Sequence, residues 1–152
     1  MGSEGIPPGI LKLESSDFKI PVFFLLFLFG CAPKPAAPSH LLPMSYFHAS
    51  SALAADDFGR AREFLRALAS ESTGDLKARA ESAAGAPEIE EMRESFKTLS
   101  EGVAIHLSYP DDYAVAFCPR YKNGSKWIQK REAPIANPYL GKSVPTCGSF
   151  VD

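Results

Sequence analysis

From residue 87 to residue 107 the apolar positions recur like one face of a helix. In PEIEEMRESFKTLSEGVAIHL, Ile89, Met92, Phe96, Leu99 and Val103 fall at spacings of 3, 4, 3 and 4, and His106 follows three residues on. Repetition near 3.6 residues predicts an amphipathic helix with this stripe against a core. Pro87 is expected at the first helical position, where its missing N–H costs no hydrogen bond. Glu88, Glu90 and Glu91 crowd the first turn, where the helix dipole favours negative charge. Upstream, SYFHASSALAADDFGRAREFLRALASES predicts two short helices or one kinked helix, with Phe58, Ala61, Leu65 and Leu68 on one face. Asp56 and Asp57 are both candidates to cap its second part, because a short carboxylate accepts from the free amides of a first turn. Gly74 marks a break. DLKARAESAA then predicts a short helix with Asp75 as its cap candidate, ending near Gly85. Residues 44–107 therefore read as helical.

Beyond Tyr109-Pro110 the period changes to two. Tyr113, Val115 and Phe117 alternate with Ala114 and Ala116, which predicts a short strand running into Cys118. Pro119 ends regular pairing, and Asn123-Gly124 is a turn signal. Asn137-Pro138-Tyr139 and the glycines at 141 and 148 predict an irregular loop. The expected fold is mainly α: a small bundle of three to four helices carrying a loop-rich C-terminal cap, residues 118–148, that can include a short β hairpin.

Composition adds a compartment to this picture. The chain has 152 residues, 45% of them hydrophobic and 22% charged, which suits one folded domain with a leader or tail. Residues 22–29 form an unbroken apolar run of eight, too short to span a bilayer and suited to the core of a secretory signal. Leu28-Phe29-Gly30-Cys31 follows and resembles the bacterial lipobox, in which the cysteine takes a diacylglyceryl group and becomes the mature N-terminus. The alternative is a buried strand before a proline linker. The lipobox reading divides the chain into a lipoprotein signal peptide at 1–30, a proline-rich tether at 31–43 and a single helical domain at 44–152. It also makes the membrane a partner through the lipid on Cys31. The location would be the bacterial cell envelope, periplasmic or surface-facing. Export leaves Cys118 and Cys147 as an even pair in an oxidising compartment, a candidate disulfide.

Charge is unevenly placed. Residues 56–101 hold 11 acidic and 7 basic residues, while residues 118–143 hold Arg120, Lys122, Lys126, Lys130, Arg131 and Lys142 against the single acid Glu132. The overall net charge of −2 argues against nucleic acid as a partner. The basic stretch is expected to be solvated or docked on the domain's own acidic helices; an anionic membrane surface or an acidic protein is the functional alternative. Trp127, Tyr139 and Arg120 are its partner-binding candidates. Against that, Trp127, Asn137 and Tyr139 also read as determinants of the fold, through large apolar area and turn formation.

The C-terminal stretch resembles a bacterial domain family of unknown function. Its members occur as short exported proteins and lipoproteins and are also appended to the periplasmic adaptor subunits of heavy-metal and copper efflux pumps. The residues carrying the resemblance are Cys118-Pro119, Gly124, Trp127, Asn137-Pro138-Tyr139-Leu140-Gly141 and Cys147-Gly148, with ALAADD at 52–57 and MRESFKTLSEG at 92–102 in the helical half. Arg120 and Val144 stand where the family has methionine. The resemblance implies periplasmic handling of a heavy metal, copper as Cu(I), and an efflux adaptor as partner. Soft thiolates select Cu(I), so Cys118 and Cys147 are the candidate ligands, with His106 or His48 as third. The competing assignment of the same two cysteines is a structural disulfide, since a disulfide offers no thiolate to a metal. No nucleophile elbow, HExxH or phosphate loop is present. Nothing in the sequence supports Cys118 as a catalytic nucleophile, and a non-catalytic protein is expected.

Overall fold

The computed structural model describes Gly2 and residues 41–151; the rest of the expected signal peptide, Cys31 and the expected tether up to residue 40 lie outside the described residues. Four helices come first: α1 (Met44–Ala54), α2 (Phe58–Glu71), α3 (Gly74–Gly85) and α4 (Ile89–Gly102). Each packs on the next in order. A three-stranded antiparallel sheet follows in the order β2-β1-β3, built from β1 (Tyr113–Cys118), β2 (Ser125–Lys130) and β3 (Ser149–Phe150). The chain is mainly α with a hairpin-containing cap, as the two periodicities predict.

The apolar stripes do the packing. Ala61, Leu65 and Leu68 of α2 and Met92, Phe96 and Leu99 of α4 have no exposed surface. Asp57 caps α2, its carboxylate accepting from Arg60 N–H at 3.0 Å; Asp56 does not cap. Asp75 lies in the first turn of α3, whose capping position is Thr73 with no side-chain hydrogen bond. Pro87 sits two residues before α4, because Glu88 takes the extended capping position and Ile89 begins the helix. At its other end α4 stops at Gly102, and Ala104–His106 form a 3₁₀ turn. Three residues per turn instead of 3.6 rotate the last stripe position away from the core, so His106 is exposed.

In β1 the small residues face the core. Ala114, Ala116 and Cys118 are buried, and Tyr113, Val115 and Phe117 are half-buried. The hairpin to β2 closes through Tyr121-Lys122-Asn123-Gly124, with Gly124 N–H donating to Tyr121 O at 2.9 Å. Lys122 and Asn123 both have positive φ, 40° and 64°, the pattern of a type I′ turn, whose twist matches that of paired strands. Gly124 has φ +98°, and a Cβ there would stand 2.6 Å from the Phe117 ring.

The outer edge of β2 would leave backbone groups unpaired. Side chains cover it. Tyr46 of α1 accepts from Ile128 N–H at 3.2 Å and shares a 2.7 Å hydrogen bond with Ser100 of α4. Glu101 accepts from Lys126 N–H at 3.0 Å, and the Tyr139 hydroxyl donates to Lys126 O. These bonds attach the sheet to the bundle.

Candidate functional site

Cys118 ends β1, and Cys147 precedes Gly148 and β3. The two are joined as a disulfide, with Cα atoms 5.5 Å apart and a sequence separation of 29. Cys118 is fully buried in the core, and Cys147 is half-buried against it. In this state neither sulfur is a thiolate, so the pair offers no soft ligand. His106 and His48 are both exposed, the latter on the outer side of α1 beside the Phe64 ring. Among the described residues no group of three or more His, Cys, Asp and Glu is placed to hold a metal ion. The ligand set Cys118, Cys147 and His106 is therefore not brought together in the oxidised fold.

The aromatic anchors are also relocated. Trp127 has no exposed surface and Tyr139 only 2%, so neither side chain is available to a partner. Tyr139 lies between them all: edge-on to Trp127 at 5.9 Å, stacked with Tyr121 at 5.2 Å and tilted against Phe96 of α4 at 6.1 Å. Trp127 Nε1–H donates to Gln129 Oε1 at 3.0 Å, so its one polar atom is satisfied. Burial pushes the Tyr139 hydroxyl well above the ordinary tyrosine value, and that of Tyr46 likewise. Of the three candidates only Arg120 remains on the surface.

Asn137 organises the loop. Its side-chain oxygen accepts from Tyr139 N–H at 2.8 Å and Leu140 N–H at 3.0 Å, its amide donates to Cys147 O at 2.7 Å, and its own N–H donates to Pro145 O at 2.9 Å. The asparagine thus links the aromatic turn to the disulfide.

Arg93 then links the loop to the helices. It is 7% exposed. Its Nε donates to Pro138 O at 3.1 Å and its Nη2 to Leu53 O at 3.0 Å; the same Nη2 pairs with Asp56, and Nη1 lies 3.5 Å from Glu90. Asp56 is held in the left-handed region at φ 56° and also accepts from Lys142 N–H at 3.2 Å. Partial burial pushes its carboxyl up, but the hydrogen bonds from Arg93 and Lys142 and their charges outweigh this and hold it below the ordinary carboxylate value. Gly141, at φ +54°, passes so close that a Cβ would collide with Asp56 and Arg93.

The sequence reading missed this clamp, although a signal was present. Ile89, Arg93, Phe96 and Ser100 are spaced 4, 3 and 4, so Arg93 lies on the buried face of α4. The expected docking of the basic cap on acidic helices is seen, among the described residues, in one side-chain ion pair: Lys122 meets Glu94 of α4, both about half-exposed. Lys130 pairs with Asp112 at 3.4 Å within the cap region. Exposed pairs of this kind contribute little to stability.

No protein-family model, curated protein or solved structure matches this chain.

Proposed function

We propose that the chain is a non-catalytic, lipid-anchored module of the bacterial envelope whose disulfide-closed cap serves the fold and whose work is done by contact with other envelope components. The observation that supports this most is the use made of the cap's distinctive residues. Cys118, Cys147, Trp127, Asn137, Tyr139 and Gly141 are all engaged with one another or with Asp56 and Arg93. A site that binds small molecules ordinarily keeps a few polar groups convergent on open space; here they converge on protein.

The second reading is copper handling beside an efflux adaptor, as the family resemblance implies. One observation favours it: reduction would leave two thiols at adjoining positions, 5.5 Å apart at Cα, and paired thiolates suit Cu(I). The departures run against it. Arg120 and Val144 replace both methionines, and Arg120 adds a fixed positive charge two residues from Cys118.

The two readings separate in one experiment on the full chain. The disulfide is first mapped by mass spectrometry, and the protein is then reduced and titrated with Cu(I) against a competing chelator. A mapped Cys118–Cys147 bond with no competition for Cu(I) supports the structural module. Tight stoichiometric binding that is lost in Cys118→Ser rejects it in favour of copper handling.

A further inference from the structure

The stretch from Leu41 through α1 carries no Asp, Glu, Lys or Arg at all: residues 41–55 read LLPMSYFHASSALAA. Tyr46, Phe47, Ala49, Leu53 and their neighbours face the core. The outward positions of α1 are Met44, His48 and Ser51 at spacings of 4 and 3, a second stripe on the opposite side of the helix that the exposed capping residue Ala55 continues. Leu41 is 52% exposed and Met44 49%; with Val151 they are the exposed large apolar side chains among the described residues. Every other helix turns charge to solvent: Arg60, Glu63 and Arg66 on α2, Lys77 and Glu81 on α3, Glu90, Glu91 and Glu94 on α4. The uncharged face is thus confined to the first helix, where the chain enters the domain from Cys31.

We infer that the outer face of Leu41 and α1 rests on the bilayer surface, orienting the domain on the membrane to which Cys31 anchors it. This rests on the reading of Cys31 as lipidated. Leu41 is ten positions after Cys31, so the fully extended chain between them reaches about 35 Å at most. Within that radius the lipid surface is present at a high effective concentration, and weak contacts suffice to dock the domain. The outward side chains of α1 are themselves uncharged, with Glu71 of α2 beside them accepting from Ser45 Oγ at 2.7 Å; uncharged side chains enter the headgroup boundary without the cost of desolvating charge. Leu41 and Met44 supply the apolar contact. His48 and Ser51 supply polar groups suited to the headgroup layer. Docked this way, α3 stands away from the membrane, since its packing partners are α2 and α4.

The test uses the mature protein reconstituted in vesicles of phosphatidylethanolamine and phosphatidylglycerol, part of it carrying brominated acyl chains that quench nearby tryptophan. Met44→Trp and Leu41→Trp report on the proposed face. Ser82→Trp on α3 is the distal control, and the unsubstituted protein gives the background of buried Trp127. The expected result is a blue shift and loss of emission at positions 44 and 41, with neither at 82. Unquenched emission at 44 and 41, or equal quenching at all three positions, overturns the inference. A blue shift without quenching places a protein or a second copy on this face and also overturns it. The mass of the N-terminal peptide separates the two levels. A Cys31 without lipid removes the anchor reading and the docking together, whereas a lipidated protein with unquenched reporters removes the docking alone.

Discussion

Asp56 shows how one side chain takes its role from its partners. By sequence it and Asp57 are equivalent cap candidates, and only Asp57 caps. Asp56 turns into the left-handed region and receives Arg93 and the Lys142 N–H instead. Arg93 is buried, so a partner lost from it leaves a charge without compensation, the costly half of such a pair. The consequence appears in the pH dependence of stability. The folded carboxyl of Asp56 titrates below its unfolded value, so its contribution is present above that unfolded value and is lost as pH falls through it toward the folded one. Asp56→Asn is therefore expected to melt lower than the parent at neutral pH. The gap between their thermal midpoints should narrow once pH drops below about 4. A gap that stays constant down to pH 2.5 would show that the carboxylate charge is not what matters.

The elements were legible where a periodic pattern ran uninterrupted. The stripe of α4 and the alternation of β1 each predict the observed type of element, since burial on one side leaves a period in the sequence. The same pattern overran at its end, because Gly102 stops the helix and the 3₁₀ turn carries His106 outward. How β2 attaches to the bundle left no periodic trace. It depends on single hydrogen bonds: Tyr46 and Glu101 accept from backbone N–H groups 82 and 25 residues away, and Tyr139 donates to a carbonyl 13 residues away. Tyr46→Phe isolates one of them. It removes the acceptor for Ile128 N–H and the partner of Ser100 while keeping the ring that stacks on Phe96 at 5.2 Å. Leaving buried polar groups unpaired costs about 1–3 kcal/mol. Urea unfolding should show that loss with an unchanged m-value, and faster amide exchange at Ile128. No change in either would mean that the edge is held by packing alone.

At the level of the whole molecule the last third of the chain depends on closure. β3 contributes two residues to the sheet and meets β1 at Ala116 and Phe117 only. The loop from Arg131 to Gly148 contains no strand and one short 3₁₀ turn. The Cys118–Cys147 bond spans a separation of 29 residues, which in the chain-entropy account stabilises by about 3–4 kcal/mol. Cys118→Ala with Cys147→Ala is expected to lower stability by that order. Amide exchange should rise first in β3 and the loop, while α2 through α4 stay protected. Uniform loss of protection across the helices would instead make the domain a single cooperative unit. Cys118 is buried, so a reductant must attack at Cys147 and expel a thiolate into an apolar surrounding, a slow route for exchange.

By itself the sequence determined the helical bundle, the strand before Cys118 and the existence of a separate, cysteine-bounded cap, because these follow from local periodicity, turn residues and composition. It also narrowed the cysteine pair to a metal site or a disulfide without choosing. The tertiary structure decided what the cap residues touch. Trp127 and Tyr139 are large aromatics whose side chains suit a core and an interface equally, and only the packing of β2 and the loop after it against α4 puts them inside. Arg93 looks from its type like a surface residue. It is buried because Leu53, Asp56 and Pro138, drawn from distant parts of the chain, supply its hydrogen bonds in one place. Such partners are neighbours in space but separated by 37 to 45 residues, and no local pattern records a contact made across that distance.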